Sequence, residues 1–132
     1  RIWPGVAFSE GKIYVIGGLE NDESNAPFES SRVDVFDINT DKWSRSADFP
    51  RKDFFFTTSV IKGEVYVFGG YQTPDKQMIH KYNAKSGKWI KLDNAPYPVF
   101  RACAVTLHDS IYFIGGDEGS TRVLVYSPDL KD

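Results

Sequence analysis

A segment that ends in a Gly-Gly pair recurs three times along the chain and constrains its fold more than any other feature. Each copy has an aliphatic–Tyr–aliphatic centre, and the copies are Gly11–Gly18, Gly63–Gly70 and Asp109–Gly116. Their tyrosines lie 52 and 46 residues apart, at Tyr14, Tyr66 and Tyr112. A repeat of this length indicates one supersecondary unit that buries its faces by stacking on its neighbours.

Two further aromatic positions keep the same spacing in each repeat. Trp43 and Trp89 each lie 23 residues before the next repeat tyrosine. Phe36, Tyr82 and Tyr126 form the third position, and the first two lie 7 residues before a tryptophan. Only the spacing after the Gly-Gly pair varies, which indicates a surface loop in an otherwise rigid unit.

The pattern resembles the kelch repeat, and the resemblance covers nearly the whole chain. It implies an all-β, kelch-type β-propeller fragment with about three four-stranded antiparallel blades. We expect blade 1 at about 5–49, blade 2 at about 54–95 and blade 3 at about 100–132. The spacing from Tyr126 places the next tryptophan one residue after Asp132, so the third blade is expected to lack its outer strand. The remaining blades of a ring would come from a longer parent chain or from a second chain.

Stacked blades would place the repeat tyrosines and tryptophans between sheets, where large rings bury much area. Prolines 27, 50, 74, 96 and 98 are predicted to lie between strands, where they break no ladder. The glycine pairs allow positive φ and close approach. A phosphate-binding role for these pairs is disfavoured, because no helix follows to present its N-terminus. The paired glycines are Gly17, Gly18, Gly69, Gly70, Gly115 and Gly116.

Strand alternation places the loops between the second and third strands, and those between blades, on one side of every blade. Because these loops vary in length, we expect the functional residues there. The resemblance implies that this side grips peptide segments of partners. The acidic candidates form either a patch for a basic partner or a solvated loop. The basic candidates make either ligand contacts or salt bridges. The aromatic candidates are either anchors for a partner or caps of the loops. The candidate partner-binding residues are Glu20, Asp22, Glu23, Phe28, Arg51, Lys52, Tyr71, Tyr97, Arg101 and Asp117.

Composition disfavours several other classes of function. The net charge is −2 and no run is strongly basic, so we expect no nucleic-acid partner. No apolar run approaches the roughly 18 residues of a membrane span. One cysteine, Cys103, and two histidines, His80 and His108, give no metal-ligand spacing, so we expect no metal, no cofactor and no catalytic residue. The single cysteine fits a reducing compartment such as the cytoplasm, but the location is otherwise unknown.

Two classes of function remain open. The first is a protein-interaction module that binds a partner segment, as in a substrate-recruiting adaptor. The alternative is part of a kelch-propeller enzyme, such as a sialic-acid mutarotase or epimerase, because the segment 91–101 is faintly similar to that group. Fold alone does not decide between them.

Overall fold

Antiparallel β-sheets form the framework of the chain in the computed structural model, which describes residues 1–71, 75–99, 101–116 and 121–128. The first repeat contains β1 (Gly5–Ser9), β2 (Lys12–Ile16), β3 (Leu19–Asn21), β4 (Pro27–Glu29), β5 (Val33–Asp37) and β6 (Lys42–Arg45). The second contains β7 (Thr57–Ile61), β8 (Glu64–Phe68), β9 (Ile79–Asn83) and β10 (Lys88–Lys91), with one 3₁₀ turn at Asp75–Gln77. The third contains β11 (Cys103–Leu107), β12 (Ser110–Ile114) and β13 (Val123–Tyr126).

Each repeat forms one sheet, as the sequence predicts. The sheets have the orders β1-β2-β5-β6, β7-β8-β9-β10 and β11-β12-β13, and β3 pairs with β4 as a separate hairpin. The described part of the third sheet therefore has three strands, in agreement with the expected incomplete blade. The blade limits of 5–49, 54–95 and 100–132 stay predictions.

Tight turns join the first two strands of each blade. Two residues connect them, and both have positive φ, as in Glu10 and Gly11 or Lys62 and Gly63. This conformation matches the twist of a two-residue hairpin. On the same side, the Asp37 carboxylate accepts a hydrogen bond from the Asn39 amide at 2.9 Å and closes the turn before the outer strand.

The two faces of a blade are different. The front face of blade 1 carries Tyr14, Ile16 and Val33, which pack against blade 2. The back face of blade 2 carries the cross-strand row Val60–Val65–Tyr82–Trp89, which packs against blade 1. The Tyr14 and Tyr82 rings meet across this interface at 5.5 Å.

The same arrangement joins blade 2 to blade 3. Phe68 is fully buried and packs on Phe113 and Tyr126, with ring centroids 4.8 and 5.3 Å apart. The core thus consists of two layers between sheets, each built from the front face of one blade and the back face of the next.

The expectation that every repeat tryptophan lies between blades holds for one of the two. The Trp89 indole N–H donates to the Ala47 carbonyl of blade 1 at 3.1 Å. Trp43 occupies the same position on the back face of blade 1, but no described residue covers it, and it is 63% exposed. It contacts Phe36 at 5.1 Å within its own sheet.

The segment 19–31 also differs from the expected loop. It contains the β3–β4 hairpin, so the prediction that Pro27 lies between strands was wrong. Pro27 is the first residue of β4 and pairs with Asn21 at the end of the hairpin, a position where a missing N–H is tolerated. No helix in the described residues is long and apolar enough to span a membrane.

The two tryptophans make a matched test of stacking between blades. We expect Trp89→Ala to lower the free energy of unfolding by about 2–3 kcal/mol, because it removes packing on Tyr82 and Phe49 together with a hydrogen bond. Trp43→Ala should lower it by about 1 kcal/mol or less. Urea denaturation monitored by circular dichroism measures both values, and equal losses would contradict this account of the interface.

Candidate functional site

The loops after the second strands and the segments between blades lie together on one side of the molecule, which we call the loop face. Ile2 and Leu19 exchange two backbone hydrogen bonds of 3.0 and 2.8 Å, which tie the segment before β1 to the loop after β2. The Gly18 amide donates to the Asp53 carbonyl at 2.9 Å, and this bond ties the segment before β7 to the same loop. The backbone of the loop face is therefore cross-linked from one blade to the next.

An open groove of about 460 Å³ crosses this face. Its walls are the β3–β4 hairpin on one side and the segment between blades 1 and 2 on the other. Apolar side chains line most of it, with one cation and one carboxylate. The lining residues are Leu19, Pro27, Phe28, Glu29, Lys52 and Phe54.

Four aromatic rings form a cluster beside the groove. Phe54 stacks on Tyr71 at 4.8 Å with an angle of 17° between the rings, and Trp3 lies 4.5 Å from Phe55. Trp3 and Tyr71 are each 50% exposed. We call Trp3, Phe54, Phe55 and Tyr71 the aromatic cluster. It combines a large apolar area with solvent access, as binding anchors do.

Three residues of the loop face occupy the same position in the three blades. They are Trp3, Phe55 and Arg101, and each lies two residues before the first strand of its blade, which is β1, β7 or β11. Each has a left-handed backbone, with φ of 52°, 59° and 54° in the same order. Their side chains follow one another, since the Arg101 guanidinium lies 4.3 Å from the Phe55 ring centroid and Phe55 lies beside Trp3. We call these three residues the left-handed row.

A buried ion pair supports the cluster from below. Asp53 is fully buried, and its Oδ1 accepts hydrogen bonds from the backbone amides of Phe54 at 2.8 Å and Tyr71 at 3.0 Å. Its other oxygen pairs with Arg51, which also donates to the Gly69 carbonyl. The carboxylate therefore fixes the backbone that carries the buried Phe54 ring and the half-exposed Tyr71 ring.

The three predicted acidic residues that the structure describes, Glu20, Asp22 and Glu23, lie on the β3–β4 hairpin. Glu20 pairs with Arg1 at 3.6 Å and with Arg32 at 4.0 Å. Asp22 accepts hydrogen bonds from the Ala26 amide, the Ser24 hydroxyl and the Ser24 amide, and these bonds lower the pKa of its carboxyl group. Both carboxylates thus order local structure, whereas Glu23 is exposed at the hairpin end.

One further candidate, Tyr97, contacts blade 3. The Tyr97 hydroxyl donates to the Val125 carbonyl at 2.8 Å, and burial raises the pKa of its phenol. Its contacts join blade 2 to blade 3. Asp117 lies outside the described residues.

The structure brings together four of the ten predicted partner-binding residues. Phe28 and Lys52 line the groove, Tyr71 belongs to the aromatic cluster, and Arg101 lies on Phe55. Their roles in binding stay predictions. The sequence prediction omitted Trp3, Phe54, Phe55 and Asp53, although Trp3, Phe55 and Arg101 share one repeat position that marks them as a set.

Comparisons with known proteins agree with this fold. The Kelch motif family matches residues 4–50. Kelch-like protein 23 of Homo sapiens is 30% identical over 97% of the chain and 24% of its own length. Kelch repeat and BTB domain-containing protein 1 of Horsepox virus is 28% identical over 89% of the chain and 21% of its own length.

The chain belongs to the kelch-repeat family. A solved structure described as YjhT is similar, with a TM-score of 0.69 and 27% identity over 86% of this chain and 34% of that one. The chain spans between a fifth and a quarter of the length of the two curated relatives. The repeat anchors deduced from spacing are therefore those of kelch blades, and the loop face is one side of a kelch propeller fragment.

The ion pair beneath the cluster can be tested against an exposed pair. Asp53→Asn should lower the free energy of unfolding by about 3–5 kcal/mol, because it leaves the Arg51 charge without its buried carboxylate partner. Asp48→Asn removes the partner of Arg45 on the surface and should cost about 1 kcal/mol or less. Guanidinium denaturation measures both, and a loss for Asp53→Asn as small as that for Asp48→Asn would show that the pair is dispensable.

Proposed function

We propose that this kelch fragment is a protein-interaction module that binds a partner segment through its loop face. The observation that carries the proposal is the aromatic cluster, whose half-exposed Trp3 and Tyr71 rings are held in place beside an open apolar groove. Rigid, partly exposed aromatic side chains with nearby charges are the usual anchors of protein interfaces. In a longer parent protein, such a module would recruit a substrate to a neighbouring domain.

The relatives support the same class of function. Kelch-repeat proteins generally bind protein partners, and the printed name of one relative joins kelch repeats to a BTB domain. The alternative, a part of a kelch-propeller enzyme such as a sialic-acid mutarotase or epimerase, is not favoured by these relatives. Within the described residues no group of three or more His, Cys, Asp and Glu side chains is placed to hold a metal ion.

A selection experiment tests whether the loop face binds peptides. Phage-displayed 12-residue peptides are selected on the immobilised 132-residue chain, and the enriched peptides are synthesised and titrated by fluorescence polarisation. We expect Phe28→Ala and Tyr71→Ala each to weaken binding about tenfold or more, since truncation of an interface anchor costs 1–2 kcal/mol or more.

Two substitutions on the opposite side provide matched controls. Ile38 is 49% exposed in the turn between β5 and β6, and Lys85 is exposed in the turn between β9 and β10. Ile38→Ala and Lys85→Ala should leave affinity within about twofold. Peptides that bind the Phe28 and Tyr71 variants as tightly as the parent chain would refute the assignment to the loop face.

A further inference from the structure

A polar cleft lies between blades 1 and 2, away from the groove of the loop face. Its volume is about 180 Å³, which is several times that of a water molecule. Lys12 follows the β1–β2 turn and Ala84 lies in the β9–β10 turn, so the cleft reaches the side of the molecule opposite to the loop face. We call it the rim cleft, and none of its described lining residues lines the groove.

Hydroxyl side chains from both blades line the rim cleft. Tyr14, Val35 and Ser44 lie opposite one another across β2, β5 and β6, so the Tyr14 and Ser44 side chains share one face of blade 1. The Ser46 hydroxyl shares a hydrogen bond of 2.6 Å with the Tyr82 hydroxyl of blade 2. The wall of the cleft is therefore polar although the layer between the two sheets is mostly apolar.

The Tyr14 hydroxyl has an unmet need for an acceptor. The side chain is only 6% exposed, yet its hydroxyl has no hydrogen-bond partner among the described residues. Buried hydroxyl groups nearly always have a partner, so this one requires a bound acceptor in the cleft. Burial, together with Tyr82 and Glu10, raises the pKa of the Tyr14 phenol. The hydroxyl therefore keeps its proton at neutral pH and acts as a donor.

The charges that line the cleft favour an anionic acceptor. Lys12 lies on the same face of β2 as Tyr14, and no described carboxylate forms an ion pair with it. Asp37 lies opposite Lys12 in the sheet, but its carboxylate accepts hydrogen bonds from turn amides. The other lining cation, Arg45, pairs with Asp48 at 3.0 Å. Lys12 is therefore the cation of the cleft that is left for a ligand.

The corresponding cleft between blades 2 and 3 has a different pattern of charge. Tyr66 takes the place of Tyr14 there. At the position of Lys12 this second cleft has Glu64, which pairs with Lys81 at 3.2 Å. Carboxylates and lysines thus balance along its described lining, whereas the described charges that line the rim cleft are positive. The second cleft is a natural control for the first.

We propose that the rim cleft binds a phosphate group. Tyr14 and Ser44 donate hydrogen bonds to the phosphate oxygens, and the Lys12 ammonium group balances their charge. A free phosphate ion and a phosphorylated side chain of a partner present this same chemistry. The cleft is separate from the loop face, so the assignment does not depend on the proposed function.

Nuclear magnetic resonance titrations of the isotope-labelled 132-residue chain test the assignment. The ligands are inorganic phosphate, N-acetyl-phosphoserine amide and, as a neutral control, myo-inositol, all at constant ionic strength and neutral pH. We expect saturable shifts of the Lys12 and Ser44 amide signals with phosphate, with a dissociation constant of about 1 mM, and no shift with inositol. The phosphate ligand that binds more tightly identifies the source of the group.

Matched substitutions compare the two clefts. Tyr14→Phe and Lys12→Gln should each weaken phosphate binding about five- to tenfold, because each removes a charge-assisted contact with the phosphate. Tyr66→Phe is the equivalent change in the second cleft, and Lys91→Gln removes one of its lysines. Both should leave the affinity for phosphate within about twofold.

A further substitution should act in the opposite direction. Glu10 lies in the β1–β2 turn, and its negative charge contributes to the raised pKa of Tyr14. Glu10→Gln should therefore tighten phosphate binding about two- to threefold, because it removes a nearby repulsion. General destabilisation of the chain would not produce such a gain.

Three results would overturn the proposal. The first is no saturable shift with either phosphate ligand in the parent chain. The second is an inositol titration that shifts the same amide signals as phosphate does. The third is equal affinity for phosphate in the parent chain and in Lys12→Gln, which would reveal an adventitious ion only. Lys12 is exposed, so this variant gives an answer even if Tyr14→Phe disturbs the packing between the blades.

Discussion

The structure depends on one close contact, in which the segment leading into each blade packs against the glycine pair of the preceding blade. A Cβ atom at Gly69 would lie 1.7 Å from the Val99 carbonyl oxygen, and one at Gly17 would lie 2.6 Å from the Phe56 ring. Both glycines have left-handed φ, of 64° and 61°. Because no side chain intervenes, the segment between blades inserts against the end of the strand, which sets the distance between sheets. The same insertion fixes the segments that carry Phe55 and Arg101, so blade stacking and the loop face are consequences of one contact.

Charged residues on the loop face divide into those that build it and those that face outward. Arg51 and Asp53 form a pair under the surface, where the carboxylate orders the backbone of Phe54 and Tyr71. Lys52, between them in sequence, points to the groove. Neighbouring residues of this segment thus have opposite roles, and the role of each cation follows from the side of the segment on which its side chain lies.

Spacing in the sequence predicted the sheets, the tight turns and the joining of blades, because identical units need identical aromatic positions. It did not predict the β3–β4 hairpin, since the loop after each glycine pair has its own length and no repeat to compare with. The sequence does not distinguish Arg51 from Lys52. Only the fold shows that Arg51 forms the ion pair and that Lys52 lines the groove. Composition does not mark Trp3 and Phe55 as site residues, because a left-handed backbone is not visible in it, although both share a repeat position with Arg101.

The different front and back faces of a blade give the fragment a polarity. Both interfaces between the described sheets join a front face to a back face, whereas two-fold symmetry would bring two like faces together. The Trp43 side of blade 1 and the Val105 side of blade 3 are both exposed and are of opposite kind. A further blade at either end would pack in the same way, with a front face against a back face. The asymmetry of a single sheet therefore determines the direction in which the chain winds around a propeller axis.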